Sequence, residues 1–277
     1  MVVIKETASN LTDTYGDNFI PRVQKFSTVI GYSVELEDGE LKVEFNPDRP
    51  DLFSFVSLKA AIETYDGRKS WTPLKFSDKE IGFKIEPAVR DLRPFALAFH
   101  CQGPVIGRNF RDLIDFQERI HQSIGKNRSK VSIGIHDLKN VKVPIIYKAV
   151  NVEDVKFTTY DNLVSGTALD ILNKHPKGIE YRDLIRAKTR VPIIEDANHS
   201  VLSMPPVVNG NISTVSENTS DFFIDITGTD PKTLRDAFYL LAYFFLPKPF
   251  TLSKRPIVIT VQIGEGIQLT EAVLPSA

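Results

Sequence analysis

The chain has 277 residues, a formal net charge of −1, 42% hydrophobic residues and 25% charged residues, which is typical of a globular protein of one or two domains. No apolar run approaches the roughly 20 residues that a membrane-spanning helix needs, and the first residues lack the basic-then-apolar pattern of a signal peptide. The single cysteine, Cys101, excludes an intrachain disulfide and a cysteine-rich metal site. We therefore expect a cytoplasmic protein whose overall charge gives no bulk attraction to nucleic acid.

The first part of the chain predicts two helices around a hairpin. The predicted elements are a helix over 17–30, strands over 32–37 and 40–45, and a helix from about 50 to 65. Gly31 is a natural end for the first helix. Asp38-Gly39 is a strong signal for a tight turn between two alternating strands. Pro50 suits the first turn of a helix, where its missing N–H costs nothing.

The rest of the chain mixes strands and helices without a steady β-α-β rhythm. The predicted elements are strands over 81–86, 95–102 and 131–137, helices over 109–124, 167–174 and 182–187, a turn at 175–178, a helix over 230–246, and strands over 256–263 and 267–273. This mixture predicts an α+β fold. Because the hairpins near the two ends are alike in size, we predict a small α+β domain formed by residues 1–85 and 248–277, with a central mixed-sheet domain over 86–247 inserted between its halves.

Two segments have the pattern of a ligand site. The run VLSMPPVVN at 201–209 places Ser203 among apolar residues and ends in the carboxamide of Asn209. The run FIDITGTD at 223–230 alternates like a strand, so Asp225 and Thr227 share one face. An apolar wall with a few convergent polar groups is the usual form of a small-ligand site. The structural alternative is that the two polar residues only cap the turn before the next helix.

In this order and spacing, the two segments resemble the β subunit of archaeal and eukaryotic phenylalanyl-tRNA synthetase, in the domain that hydrolyses mischarged tRNA. The similarity extends along the chain through four more motifs: NPDRPDL (46–52), LRPF (92–95), LIDFQERIHQ (113–122) and SIGIHDL (132–138). Each motif is weak alone, and their shared order makes the resemblance specific. Since the family's β subunit is longer, we expect an N-terminal fragment, with a free-standing editing protein as the alternative.

The resemblance implies an editing pocket in the central domain that selects tyrosine. A pocket shaped for phenylalanine cannot strongly exclude an isostere that adds a hydroxyl, so a second, hydrolytic pocket is needed. The resemblance assigns the tyrosyl group to Ile194, Ser203, Asp225 and Thr227. In this interpretation Asp225 accepts the phenol proton, Thr227 and Ser203 add hydroxyls beside it, and Ile194 forms an apolar wall against the ring.

Catalysis is assigned to groups that can orient a water molecule or the ester carbonyl. We predict Asn209 in this role, because its amide both donates and accepts hydrogen bonds. His136 and His121 are the alternative bases. His121 lies on the apolar face of its predicted helix, which favours a core histidine. Cys101 alternates with apolar residues in a strand and is interpreted as packing. The chain has no Gly-x-Ser-x-Gly elbow and no His-Glu-x-x-His helix.

The predicted partners are tRNA and the synthetase α subunit, in an α2β2 assembly. Arg93, Lys126, Arg128 and Lys130 are predicted to contact phosphates of the tRNA acceptor end, although the run at 125–130 is, from sequence alone, more typical of a solvated turn. We expect no metal and no cofactor for editing; ATP and magnesium belong to the complete synthetase only. The alternative function is a non-catalytic scaffold that binds tRNA or the α subunit.

Overall fold

The computed structural model describes residues 1–69, 75–77, 81–187, 189–247, 250–253 and 257–260. The helices are α1 (Ala8–Tyr15), α2 (Phe19–Ile30), α3 (Phe55–Tyr65), α4 (Phe110–Gln122), α5 (Ala168–Lys174), α6 (Pro176–Tyr181) and α7 (Pro231–Phe245). The strands are β1 (Val2–Thr7), β2 (Ser33–Glu37), β3 (Glu40–Phe45), β4 (Lys75–Ser77), β5 (Phe83–Ile85), β6 (Phe95–Gln102), β7 (Val131–Asp137), β8 (Ile145–Asn151), β9 (Lys156–Thr158), β10 (Ser165–Thr167), β11 (Arg190–Glu195), β12 (Val201–Met204), β13 (Val208–Asn209), β14 (Asp221–Gly228), β15 (Thr251–Ser253) and β16 (Ile257–Thr260). Among the described helices, none combines the length and apolar character that crossing a bilayer requires.

The N-terminal part consists of the antiparallel sheet β1-β3-β2 and the helices α1, α2 and α3. Its β2–β3 hairpin turns at Asp38 and Gly39, which have φ angles of 50° and 77°. This left-handed pair is the backbone that an Asp-Gly turn favours. The hairpin prediction is therefore confirmed, whereas β1 and α1 were not predicted.

A six-stranded mixed sheet lies at the centre, in the order β4-β15-β6-β14-β7, with β16 also paired to β6. Alternate residues of β14 serve its two faces. Phe222, Ile224 and Ile226 pack into the apolar core that includes α4, α7 and the N-terminal part. Phe223 points to the opposite face and packs into a second core. By the same period of two, Asp225 and Thr227 lie on that second face.

A five-stranded sheet, in the order β13-β12-β11-β8-β5, packs on that second face. Leu202 and Ile194 join Phe223 and Tyr147 in the core between the two sheets. The outer face of the five-stranded sheet is covered by α5, with Val191 and Ile193 packed against Ile171. The second face of β14, which carries Asp225, is thus enclosed between two sheets.

The α+β class is confirmed, and most predicted elements match to within a few residues. The turn predicted at 175–178 is wrong, because Pro176 begins α6 and the His175 ring accepts a hydrogen bond from the Lys177 backbone N–H. The helix predicted over 182–187 is reduced to one 3₁₀ turn, Arg182–Leu184. The strand predicted over 267–273 lies outside the described residues. The two-domain division stays a prediction. In that division β4 belongs to the small domain and β6 to the central one, and β15 pairs with both strands.

The N-terminal part is tied to the central sheet through Asp112 of α4. Its carboxylate accepts hydrogen bonds from the backbone N–H groups of Phe55 and Val56, at 3.1 and 2.9 Å, and so caps the start of α3. Arg119, two turns further along α4, donates to the carbonyl oxygens of Phe53 and Val3. Burial raises the pKa of Asp112 to about 6, although the two backbone hydrogen bonds act against this shift.

Replacing Asp112 with alanine should lower the free energy of unfolding by about 1–3 kcal/mol, because two backbone donors lose their partner. The folded-state pKa lies above the unfolded value, so the folded chain binds this proton more tightly than the unfolded chain. The contribution of Asp112 to the free energy of unfolding is therefore greatest below about pH 4 and is lost as the pH rises through about 6. The loss caused by D112A should therefore grow as the pH falls from about 7 to about 5. Urea titrations at several pH values measure both effects.

The matched control is Asp115→Ala on the same helix, since the Asp115 carboxylate is about half exposed and lies 3.6 Å from the Arg119 guanidinium. Its effect should stay within about 0.5 kcal/mol. Equal losses for the two variants would contradict the capping role of Asp112.

Candidate functional site

A cavity of about 390 Å³ opens between the two packed sheets and α4. Its walls come from α4 and the following turn, from β7 and β14, and from the segment that runs from β12 to β13. Residues 160–161, Lys177 of α6 and residues 213–215 complete the lining. The lining residues are Phe110, Ile114, Gln117, Glu118, Arg128, Ser132, Ile133, Gly134, Ile135, Tyr160, Asp161, Lys177, Ser203, Met204, Pro205, Pro206, Val207, Val208, Asn209, Ser213, Thr214, Val215 and Asp225. The cavity therefore has apolar walls with a small set of polar groups.

Ser203 presents a buried hydroxyl to this cavity. It lies on β12, paired with Ile194 of β11, and is 2% exposed. Its Oγ atom is buried and makes no hydrogen bond to any described residue. A buried hydroxyl without a partner costs free energy. Such an atom at the wall of a cavity is available to a ligand.

Asp225 is held at the same cavity by a buried relay. Its Oδ2 atom lies 2.8 Å from His136 Nε2, and His136 Nδ1 lies 2.8 Å from Ser213 Oγ. With Asp225 ionised, the His136 Nε2–H donates to the carboxylate. Gly134 makes room for the pair, since a Cβ atom there would lie 2.1 Å from Asp225 Oδ2 and 2.6 Å from His136 Nε2. Both His136 nitrogens are engaged, so the geometry favours a positioning role, and its action as a base stays a prediction.

Thr227 and Ile194 are fully buried beside the site but are not part of the cavity lining. The Thr227 hydroxyl lies 3.0 Å from Ser132 Oγ and accepts from Arg93 Nε at 3.0 Å. Ser132 thus stands between Thr227 and the cavity. A direct contact of Thr227 or Ile194 with a substrate stays a prediction.

Arg93 is enclosed within the protein and does not face the solvent. It is 3% exposed and also donates to the carbonyl oxygens of Thr227 and Arg128. Burial lowers the pKa of Arg93 to about 10. A phosphate contact by this residue would require the network to open, and the structure gives it no support.

Arg128 is also buried, but it is part of the cavity wall. Its guanidinium donates to both carboxylate oxygens of Glu118, at 2.9 and 3.0 Å, and to the carbonyl oxygens of Pro206 and Val207. It also lies over the Tyr181 ring, 4.5 Å from the centroid. Its Nε atom makes no hydrogen bond within the part of the chain that the structure describes. The group is therefore placed to meet a ligand inside the cavity, and a phosphate contact outside stays a prediction.

Glu118 keeps its negative charge in this wall. Burial acts to raise its pKa, yet the hydrogen bond with His121 and the charges of Arg128 and Lys177 hold the pKa of Glu118 well below its usual range. His121 accepts from the Ile133 N–H at 2.8 Å, and burial lowers the pKa of His121 to about 4. This geometry matches the core histidine that the sequence favoured over a base.

Asn209 lies beside Ser203 and at the less buried end of the cavity. The two residues are paired between β12 and β13, and Asn209 is half-buried. Its carbonyl oxygen accepts from the Tyr160 N–H at 2.9 Å. The side chain predicted to orient the ester thus adjoins the hydroxyl predicted to bind the substrate. Its catalytic role stays a prediction.

The two predicted lysines lie on the turn after α4. Lys126 is exposed, and Lys130 pairs with Asp230 at 2.9 Å.

Sequence reasoning missed the cavity-lining Gln117 and Glu118, which belong to the LIDFQERIHQ motif, and the Ser213 partner of His136. The signal for the first two was a pair of polar residues within an amphipathic helix. In the described part of the chain, no three His, Cys, Asp or Glu side chains come together as a metal site.

Comparisons with known proteins agree on one family. The chain is 43% identical to the phenylalanine–tRNA ligase β subunit of Thermoplasma volcanium over 253 residues, which is 91% of this chain and 47% of that protein. It is 38% identical to the Methanosarcina acetivorans β subunit over 226 residues, which is 80% of this chain and 41% of that protein. The chain thus spans about half the length of the curated relatives it matches. No protein-family model matches it.

A solved structure shares the fold. The crystal structure of an N-terminal fragment of the phenylalanyl-tRNA synthetase β subunit from Pyrococcus horikoshii superposes with a TM-score of 0.81 at 26% sequence identity. The match covers 91% of this chain and 76% of that fragment.

Two serine variants should separate a structural hydroxyl from an available one. Ser213→Ala should lower the free energy of unfolding by about 1–3 kcal/mol, because the buried Nδ1 atom of His136 loses its partner. Ser203→Ala makes the same chemical change at a similarly buried position and should leave stability unchanged or slightly raised, because no bond is lost. Urea unfolding of the two variants measures the difference. A loss at Ser203 as large as that at Ser213 would show that the Ser203 hydroxyl is already bonded.

Proposed function

This chain is homologous to the N-terminal part of phenylalanine–tRNA ligase β subunits, and we propose that it is the editing module of such an enzyme, hydrolysing tyrosine misattached to phenylalanine tRNA. The observation that carries the proposal is a buried hydroxyl without a partner, Ser203, facing the same cavity as a buried carboxylate, Asp225. Among apolar walls, these two groups favour a ligand that carries a hydroxyl.

Selection of tyrosine would follow from the cost of leaving these groups unpaired. A phenol donates its proton to Asp225 and can accept from Ser203. A bare benzene ring in the same place offers neither bond, at a cost of roughly 1–3 kcal/mol for each buried group left unsatisfied. Since a site for phenylalanine cannot strongly exclude tyrosine, a second site that requires the hydroxyl supplies the missing discrimination.

The reaction is attack of water on the ester between the amino acid and a ribose hydroxyl of the tRNA end. Such an ester is already reactive, so positioning and modest stabilisation of the developing oxyanion supply the rate. Asn209 adjoins Ser203 and can donate its amide N–H to the carbonyl oxygen or accept from the water. His136 and Ser213 hold Asp225 in place. This chemistry uses neither ATP nor a metal ion.

The proposed partners follow from the family. The mischarged tRNA is the substrate, and the α subunit is the partner of the complete cytoplasmic enzyme. Lys126 is exposed on the turn that follows α4, where its positive charge suits a phosphate of the acceptor end, and Lys130 could reach one only by leaving Asp230. Each such contact would add salt-sensitive affinity that does not depend on sequence.

Replacing Asn209 with alanine should slow the hydrolysis of tyrosyl-tRNA roughly 100-fold or more, because a group that stabilises the oxyanion or orients the water is removed. Single-turnover release of labelled tyrosine measures the rate. Asn211→Ala is the matched control, since Asn211 is exposed two residues further on and its side-chain amide donates to Asn162. A rate for N209A within a few-fold of the unmodified chain would contradict its catalytic role. Hydrolysis of neither aminoacyl-tRNA by the unmodified chain would favour the scaffold.

Selectivity should depend on Ser203 and Asp225. Ser203→Ala and Asp225→Asn should each reduce the ratio of tyrosine to phenylalanine release by roughly 10-fold, because a bond made only to the tyrosine hydroxyl is lost. The measurement compares tyrosyl- and phenylalanyl-tRNA at matched concentrations. Thr214→Ala, which removes an exposed hydroxyl from the same cavity, should leave the ratio unchanged. An unchanged ratio in S203A and D225N would assign the hydroxyl contact elsewhere.

A further inference from the structure

An exposed aromatic ring forms part of the cavity wall next to Asn209. Tyr160 is 38% exposed and lines the cavity together with its neighbour Asp161. Its backbone N–H donates to the Asn209 carbonyl oxygen at 2.9 Å. The adjacent backbone bridge between Thr159 and Gly210 joins the same two segments. These backbone contacts hold Tyr160 beside the residue proposed to act on the ester.

The loop that carries Tyr160 is held by several hydrogen bonds. Asp161 accepts from the Thr159 hydroxyl at 2.7 Å and from the Leu163 N–H at 3.2 Å. Its second carboxylate oxygen lies 3.0 Å from Nε2 of the buried His175. Because His175 Nδ1 accepts from the Lys177 N–H at 3.1 Å, Nε2 carries the proton and donates to Asp161. The histidine thus connects the loop to the start of α6.

Lys177 brings positive charge to the same place. Its Nζ atom lies 5.3 Å from the centroid of the Tyr160 ring and 3.8 Å from a carboxylate oxygen of Glu118. A cation over an aromatic face is attractive, so Lys177 takes one face of the ring and a base would stack on the other. An exposed aromatic ring beside a lysine is the combination that binds a base by stacking and a neighbouring phosphate by charge.

We infer that Tyr160 is a stacking platform for the terminal adenine of the tRNA, with Lys177 beside the adjoining phosphate. This inference rests on the proposed function, because it assigns the nucleoside end of the same substrate. The ester joins the amino acid to the ribose of that adenosine. A base on Tyr160 therefore places the ribose next to Asn209 and directs the amino acid toward Ser203 and Asp225.

The test is the binding of an RNA trinucleotide, CCA, compared with the same trinucleotide lacking its terminal base. The unmodified chain should bind CCA roughly 5- to 100-fold more tightly, which is the effect of one stacked base. Tyr160→Ala should bind both equally, whereas Tyr160→Phe keeps the ring and should keep the preference. Tyr239→Ala is the matched control, since Tyr239 is a similarly exposed tyrosine on α7 that does not line the cavity. Thermal unfolding confirms that each variant is folded.

A preference that survives in Y160A, or no preference in the unmodified chain, would overturn the platform. The binding measurement needs no hydrolysis, so the two proposals fail separately. If tyrosyl-tRNA is not hydrolysed but the preference depends on Tyr160, the platform stands and the editing function fails. If tyrosyl-tRNA is hydrolysed and the preference is absent, only the platform fails.

Discussion

The ion pair between the buried Arg128 and the partly exposed Glu118 holds the walls of the cavity together. One guanidinium group reaches a carboxylate on α4 and two carbonyl oxygens in the segment that follows β12. Removing Glu118 would leave the buried Arg128 guanidinium without its ionic partner, in a place where water solvates it poorly. The same guanidinium also lines the cavity. A change at Arg128 would therefore alter both the distance between the walls and the charge of the cavity lining. The shape of the site and the position of α4 relative to the segment that follows β12 therefore depend on the same contacts.

That arrangement depends on an unfavourable backbone conformation. Lys126, Asn127 and Arg128 all have left-handed φ angles, of 48°, 49° and 66°. Each such residue costs about 1–2 kcal/mol when it is not glycine. The run is kept because the turn bonds back to α4, with the Arg128 N–H donating to the His121 carbonyl at 3.2 Å, and because the side chain of Arg128 gains its bonds in the wall. Strain that surrounding contacts maintain is common at functional sites.

Local features of the sequence predicted the elements, and long-range packing decided the site. The alternation around β14 correctly placed Asp225 and Thr227 on one face, but it could not indicate that Ser132 and Arg93 enclose Thr227 while Asp225 reaches the cavity. An arginine before proline is typical of a surface turn, so the burial of Arg93 could be known only from its distant partners Thr227 and Arg128. Proline is common both in turns and in the first turn of a helix, so Pro176 alone did not distinguish the two. The His175 ring, which caps the helix and bonds to Asp161, favours the helix.

The polar groups of the site differ in how completely the protein satisfies them. Thr227 is bonded on both sides, Asp225 holds one hydrogen bond from His136 while it lines the cavity, and Ser203 has none. A group already bonded gains little from a ligand, because the new bond replaces an old one. Under the proposed function, discrimination should therefore concentrate on Ser203 and Asp225. Thr227 would then act indirectly, by keeping Arg93 and Ser132 in place behind the carboxylate.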